Sequence, residues 1–308
     1  MGLLIIPVDR FTKVPRASGG GASSERAAAL EVYGRMLDQL RDRPQEIARL
    51  IATEKDPDVR LTLRYMTDRV AFAREILHFD PEPLQETALN SWSRRLIFNC
   101  NRQWGKSTIA AIRALHRAWF WPGSQILLVS RAQAQSGTLL EKIKTFLPEL
   151  GIAARGDGLN RQSVKFSNGS RIVALPGGSR PTRSHSKVSM VIIDEAAMVA
   201  DPVHDAVAPT LATTNGDLIL LSTPMGRRGA FYRAWLHGGD EWHRIFGPVD
   251  DANPGRISRE YMQSERRRGG DDFVAQEYYC EFLDRDSHLF GDDSLQGVFS
   301  EDVESWET

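Results

Sequence analysis

Apolar residues change their spacing near residue 96, and that change divides the chain. Between Glu25 and His78 they recur at helical intervals, with Leu30, Tyr33, Leu37 and Leu40 in one set and Val70, Ala73, Ile76 and Leu77 in another. Pro44 and the Asp56-Pro57 step punctuate this stretch into three helices. From Leu96 onward, short unbroken apolar runs take over. Leu96–Cys100, Gln125–Ser130, Val188–Glu195 and Asp217–Pro224 each contain a strand candidate that reads as buried on both faces. Ser107–Trp121 between the first two is a helix stopped by Pro122-Gly123, and a second helix is predicted around Ala134–Leu147. SVKFSNGSRIVAL, residues 163–175, alternates on both sides of Asn168-Gly169 and predicts a hairpin. Strands alternating with helices predict an α/β fold with a mostly parallel sheet.

Composition narrows the setting. A hydrophobic content of 41% with 26% charged residues is that of a soluble globular protein. The net charge is −1, so any contact with nucleic acid has to come from a local patch. Two cysteines, Cys100 and Cys280, make neither a disulfide framework nor a C-x-x-C metal motif, which suits a reducing cytoplasm. The opening MGLLIIPVDR is too short an apolar run for a secretory signal. No run approaches a membrane span, so no membrane partner is expected. Residues 16–24, RASGGGASS, read as a flexible linker after a loose arm.

Chemistry enters at residues 99–108, NCNRQWGKST. The ending Gly105-Lys106-Ser107-Thr108 is how a phosphate-binding loop closes, although the strict pattern wants glycine where Cys100 stands. Strand, loop and helix in that order let backbone N–H groups of residues 101–108 cradle phosphates. Lys106 would reach the β- and γ-phosphates of ATP and Ser107 would ligate Mg²⁺. MVIIDEA supplies the complementary half. Asp194 at a strand end can hold Mg²⁺, and Glu195 beside it can polarise an attacking water. The two motifs lie about ninety residues apart with one strand between. A catalytic glutamate, with strands inserted between loop and aspartate, points to the additional-strand, catalytic-glutamate class of P-loop NTPases. Ser222 and Thr223 end a further apolar strand, where they can sense γ-phosphate and couple its loss to motion.

Taken together these residues resemble the large terminase subunit of tailed bacteriophages, over roughly residues 70 to 290. The resemblance is carried by CNRQWGKS, with Arg102 and Gln103 inside it, by VIIDEAA, by the NGS hairpin, by STPMGRRGAFYRAW and by FVAQEYYCEF, all in order. The first loop glycine is frequently replaced in that family, so Cys100 is a variant of the pattern. The resemblance implies an ATPase motor that drives double-stranded DNA into procapsids in the cytoplasm of the infected host. It implies partners: DNA, a portal protein, a small terminase subunit and sister copies in a ring. It places Gln85 of FDPEPLQ on the adenine edge and lets Arg102 reach the γ-phosphate in cis. It also implies an arginine supplied to a neighbouring subunit from GGSRPTRSHSKVS, with Arg183 the first candidate and Arg180 the second.

The expected organisation is an arm and linker over 1–24, a helical segment over 25–80, the ATPase core over 81–224, a lid-like subdomain over 225–290 and a tail over 291–308. Large terminases continue into a ribonuclease H-like nuclease domain; this chain stops at Thr308. Asp284, Asp286, Asp292 and Asp293 form a loop run that substitutes poorly for carboxylates converging from several strands, so cutting is not expected. Two other readings stand beside the motor. A helicase-like motor shares these motifs but needs a second α/β domain. A nucleotide-gated assembly module would bind ATP with incidental turnover, against which an intact Glu195 argues.

Overall fold

A computed structural model describes residues 32–152, 162–175, 185, 187–252 and 255–284. Among these residues seven strands make one sheet: β1 Arg95–Cys100, β2 Gln125–Val129, β3 Ser163–Lys165, β4 Arg171–Leu175, β5 Val188–Asp194, β6 Asp217–Ser222 and β7 Trp242–Gly247. Their order is β3-β4-β2-β5-β6-β1-β7. Only β3 and β4 run antiparallel, joined through the Asn168-Gly169 turn, where Gly169 takes a φ of 83° that favours glycine. The other pairings are parallel. β6 lies between β1 and β5, so the sheet has the inserted strand that the catalytic-glutamate class requires.

Apolar runs form these strands because both faces of the sheet are covered. On β1, Leu96, Phe98 and Cys100 face one core while Ile97 faces the other; β2 divides Ile126 and Leu128 from Leu127 and Val129 in the same way. The first core packs under the helix Lys106–Phe120 and takes in the N-terminal helices 32–39, Pro44–Thr53 and Pro57–Thr67. The second lies beneath the helices Asp201–Ala212 and Gly229–His237. The expected helical segment therefore shares one continuous core with the sheet. Its third helix breaks at Asp68, whose side chain accepts from the N–H groups of Val70 and Ala71 and starts a new turn that runs into a π-helix at Phe72–Ile76.

A buried charge network fixes those helices to the end of the sheet opposite the phosphate loop, where the strands begin. Arg41 donates twice to Asp217 at the start of β6, at 2.5 and 3.1 Å, and both residues are buried. Arg113 donates to the carbonyls of Ala88, Leu89 and Ser91, at the C-terminal end of the helix Pro83–Asn90. Burial pushes the Asp217 carboxyl up, but Arg41 and the arginines behind it outweigh burial and hold it below the usual aspartate value. Removing one partner of a buried pair costs about 3–5 kcal/mol, because the other charge is left uncompensated. Asp217→Asn is therefore expected to lower unfolding free energy by that order in urea titrations. A depressed carboxyl contributes stability above the unfolded-state value and loses it as pH falls through the folded one. The wild type should lose this part below about pH 4 and the variant should lack it throughout.

The stretch expected to form a lid, 225–290, is organised differently. Residues 242–247 pair with β1 along its full length as β7, which makes them part of the ATPase sheet. WHRIFG carries His243 and Arg244 and so shows no apolar run. The remainder holds the helix Arg259–Glu277, broken at Gly270, and a small core of Val249, Val274 and Tyr278. The arm, the linker and the tail lie outside the described residues.

Candidate active site

The C-terminal ends of β1, β5 and β6 meet around a cleft of about 300 Å³. β1 ends at Cys100, whose thiol turns away from the cleft and approaches the Ile245 carbonyl at 3.6 Å. Its backbone does not take a positive φ, so no glycine is needed there. The left-handed positions of the loop fall later, at Gln103 (φ 69°) and Gly105 (φ 95°). A Cβ on Gly105 would also come within 3.1 Å of the Gln85 amide, so glycine is required there for two reasons.

Side chains pin the loop from below. Trp104 is fully buried against Phe98, and Asn101 donates to the Gly247 carbonyl at 2.9 Å. Both were expected among the phosphate-binding residues; their side chains face the core, and their N–H groups donate to the carbonyls of Gly247 and Asn101. The Arg102 N–H already donates to the Glu277 carbonyl. The N–H groups of Lys106 and Ser107 open the helix and have no partner within it. Thr108 follows them in the first turn, its N–H on the Gly105 carbonyl. Gln85 lies outside the cleft lining. Its Nε2 donates to the Trp104 carbonyl at 2.6 Å and its Oε1 accepts from the Glu82 N–H at 3.0 Å. The amide expected on the adenine edge thus contacts the loop backbone.

Lys106 folds back so that its ammonium donates to the carbonyls of Cys100 and Asn101, at 2.6 and 2.9 Å. Burial draws its pKa down. Across the cleft, the Ser107 hydroxyl donates to Asp194 at 3.3 Å, and burial pushes the Asp194 carboxyl up. A cation and an anion are thus both held against their preference for water, one suited to phosphate and the other to a divalent cation. Hydroxyl and carboxylate oxygens are the hard donors that Mg²⁺ takes. Glu195 follows at the end of β5 with φ 52°, a left-handed conformation uncommon outside glycine, asparagine and aspartate.

Two contacts had no signal in the amino-acid pattern. Gln135, on the helix Gln133–Phe146 after β2, donates to the Glu195 carboxylate at 2.5 Å and lines the cleft. Glu277 accepts from Thr223 at 3.2 Å and lies 3.3 Å from the Arg102 guanidinium. It therefore joins the phosphate loop to the end of β6. Its motif, FVAQEYYCEF, was legible as the close of a domain, but nothing in it marked the glutamate as a cleft residue. Ser222 is buried at the cleft wall. Arg180 and Arg183 lie outside the described residues, as do Asp286, Asp292 and Asp293.

Residues 97–296 match the family described as terminase large subunit, T4likevirus-type, N-terminal. The terminase large subunit of Thermus virus P23-45 is 29% identical over 185 residues, which is 53% of this chain and 38% of that protein. That of Thermus phage G20c is 27% identical over 183 residues, with the same shares. Each match thus spans well under half of the curated relative. Among solved structures, the large terminase ATPase domain of Thermus phage P74-26 superposes with a TM-score of 0.60 at 24% identity, covering 68% of this chain and 97% of that one. The large terminase of a second, thermophilic bacteriophage, in complex with ADP, gives 0.55 at 12% identity over 65% and 53%.

Proposed function

The chain belongs to the T4likevirus-type large terminase family, in its N-terminal part, and from that membership we propose that it is the ATPase of a DNA-packaging motor. Its reaction is hydrolysis of ATP to ADP and phosphate by in-line attack of water. The observation that carries this reading is the meeting of Lys106, Ser107, Asp194 and Glu195 in one cleft at the ends of β1 and β5. The complexes of the thermophilic bacteriophage's large terminase with ADP and with ATP-γ-S support a nucleotide as its occupant.

Lys106 and the first-turn N–H groups bind the β- and γ-phosphates. Ser107 and Asp194 would hold Mg²⁺, which would neutralise charge on the transferred group. Glu195 accepts the proton of the attacking water while Gln135 keeps its carboxylate oriented. Arg102 pairs with Glu277 on the cleft wall, from where it would reach a γ-phosphate. Loss of γ-phosphate then reaches the 249–284 region through Glu277 and Thr223, with Ser222 beside them. Gln85, beside the loop, takes the adenine edge.

The motor reading adds double-stranded DNA, a portal protein, a small terminase subunit and sister copies in a ring, acting in the cytoplasm of an infected bacterium. No described helix is long and apolar enough to cross a membrane. Arginine fingers are worth about 10³–10⁵ in rate, so the source of the second arginine is the feature to test. Steady-state ATP hydrolysis per subunit should climb with protein concentration and be lost in Arg183→Ala, Arg180→Ala having the smaller effect. A flat rate unchanged by Arg183→Ala would make the site complete in one chain, with Arg102 as its catalytic arginine.

A further inference from the structure

A second groove, of about 610 Å³, opens beside the nucleotide cleft and shares Met198 and Met225 with it. Arginines from separate elements line it. Arg131 lies on the loop that follows β2, and Arg228 caps the helix Gly229–His237, with Arg233 one turn further on. The groove has one carboxylate, Asp201, and it is fully engaged. One oxygen accepts from the Ala230 N–H at 2.8 Å, and the other accepts both Nη groups of Arg233 at 3.0 Å. Arg131 and Arg228 are exposed and make no hydrogen bond or ion pair with any described residue. The contrast with the adjacent residue is informative. Arg227 turns the other way, donating to the Phe282 carbonyl at 3.0 Å and lying 3.8 Å from Asp284. Glycines with φ of 74° and 82°, Gly226 and Gly229, bracket the two arginines, and these left-handed turns let successive side chains diverge.

Two guanidiniums at one groove, with no partner among the described residues, repel each other unless an anion lies between them, and a planar guanidinium fork matches phosphate oxygens. The chain's net charge of −1 supplies no general attraction for a polyanion, so a nucleic-acid track has to be local. We propose that this groove binds the phosphodiester backbone of double-stranded DNA through Arg131 and Arg228. The choice of DNA rests on the packaging-motor reading; the groove's preference for phosphate rests on the two arginines.

The test is binding of a short labelled duplex of mixed sequence, followed by fluorescence anisotropy across a salt series. Arg131→Ala with Arg228→Ala should weaken binding and flatten the slope of log K against log salt by about two, near one for each phosphate left without its arginine. Lysine at both positions should keep most of the slope, while ATP turnover without DNA stays at the wild-type rate in either variant. Wild-type affinity and slope in the double alanine variant would overturn the proposal. So would unchanged DNA binding with lost self-association in sedimentation, which would make the groove a seat for acidic side chains of a second copy. If the wild type hydrolyses ATP yet binds no duplex at low salt, the groove assignment fails and the ATPase reading stands. Absence of turnover would instead count against the ATPase reading, whatever the duplex does.

Discussion

Lys106→Ala is expected to abolish ATP hydrolysis, with turnover falling by at least about 10²-fold, the scale of losing one preorganised donor at a site of developing charge. The ammonium rests on two backbone carbonyls, and burial already disfavours its charge. A γ-phosphate offers it a full negative charge in place of two dipoles, and the lysine needs only a rotation of its flexible stem to reach it. The substitution should also weaken nucleotide binding. A hydrogen bond to a charged group contributes about 1.5–3 kcal/mol, which is roughly a 10- to 150-fold rise in Kd for Mg-ATP by titration calorimetry. The fold should survive, because Trp104, Asn101 and Gln85 still hold the loop when the two bonds from Lys106 are lost. Melting temperature without nucleotide is the control for that. Near wild-type turnover in a folded variant would sink the loop assignment.

How much of this was legible beforehand follows from what each feature depends on. β1, β2, β5 and β6 announced themselves because strands covered on both faces have to be apolar throughout, and the hairpin did because Asn168-Gly169 suits its turn. β7 did not, because it is an edge strand whose polar residues are satisfied locally. Arg244 donates to the carbonyls of Trp235 and Gly239, and His243 meets the Ser91 hydroxyl at 2.7 Å. Lys106, Ser107, Asp194 and Glu195 were readable because their chemistry fixes residue type and spacing along the chain. Gln135 and Glu277 were not, since a residue that steadies another can come from any element the fold brings near. Asn101, Trp104 and Gln85 fall between these cases. The sequence placed Asn101 and Trp104 in the loop and Gln85 on the adenine edge, but which of their atoms face the nucleotide and which face the core is decided by packing.

Glu195→Gln separates binding from chemistry and is the sharper test of mechanism. The substitution keeps the size and shape of the side chain, and its amide oxygen can still accept from Gln135, so the left-handed turn at the end of β5 has no reason to move. What it removes is basicity. A positioned general base contributes about 10²–10⁴ in rate, so kcat should fall by that order while Mg-ATP binds with a Kd within a few-fold of the wild type. A binding loss as large as the rate loss would mean that the carboxylate holds nucleotide or metal and is not the base. Turnover retained along with binding would mean that another group takes the proton, and among the cleft residues Glu277 is the remaining carboxylate apart from Asp194. Glu277 already accepts from Thr223 and lies against Arg102, so it would have to leave both partners to serve. Among the described residues a neutral amide alone holds the Glu195 carboxylate, which is the physical reason for assigning the proton to Glu195.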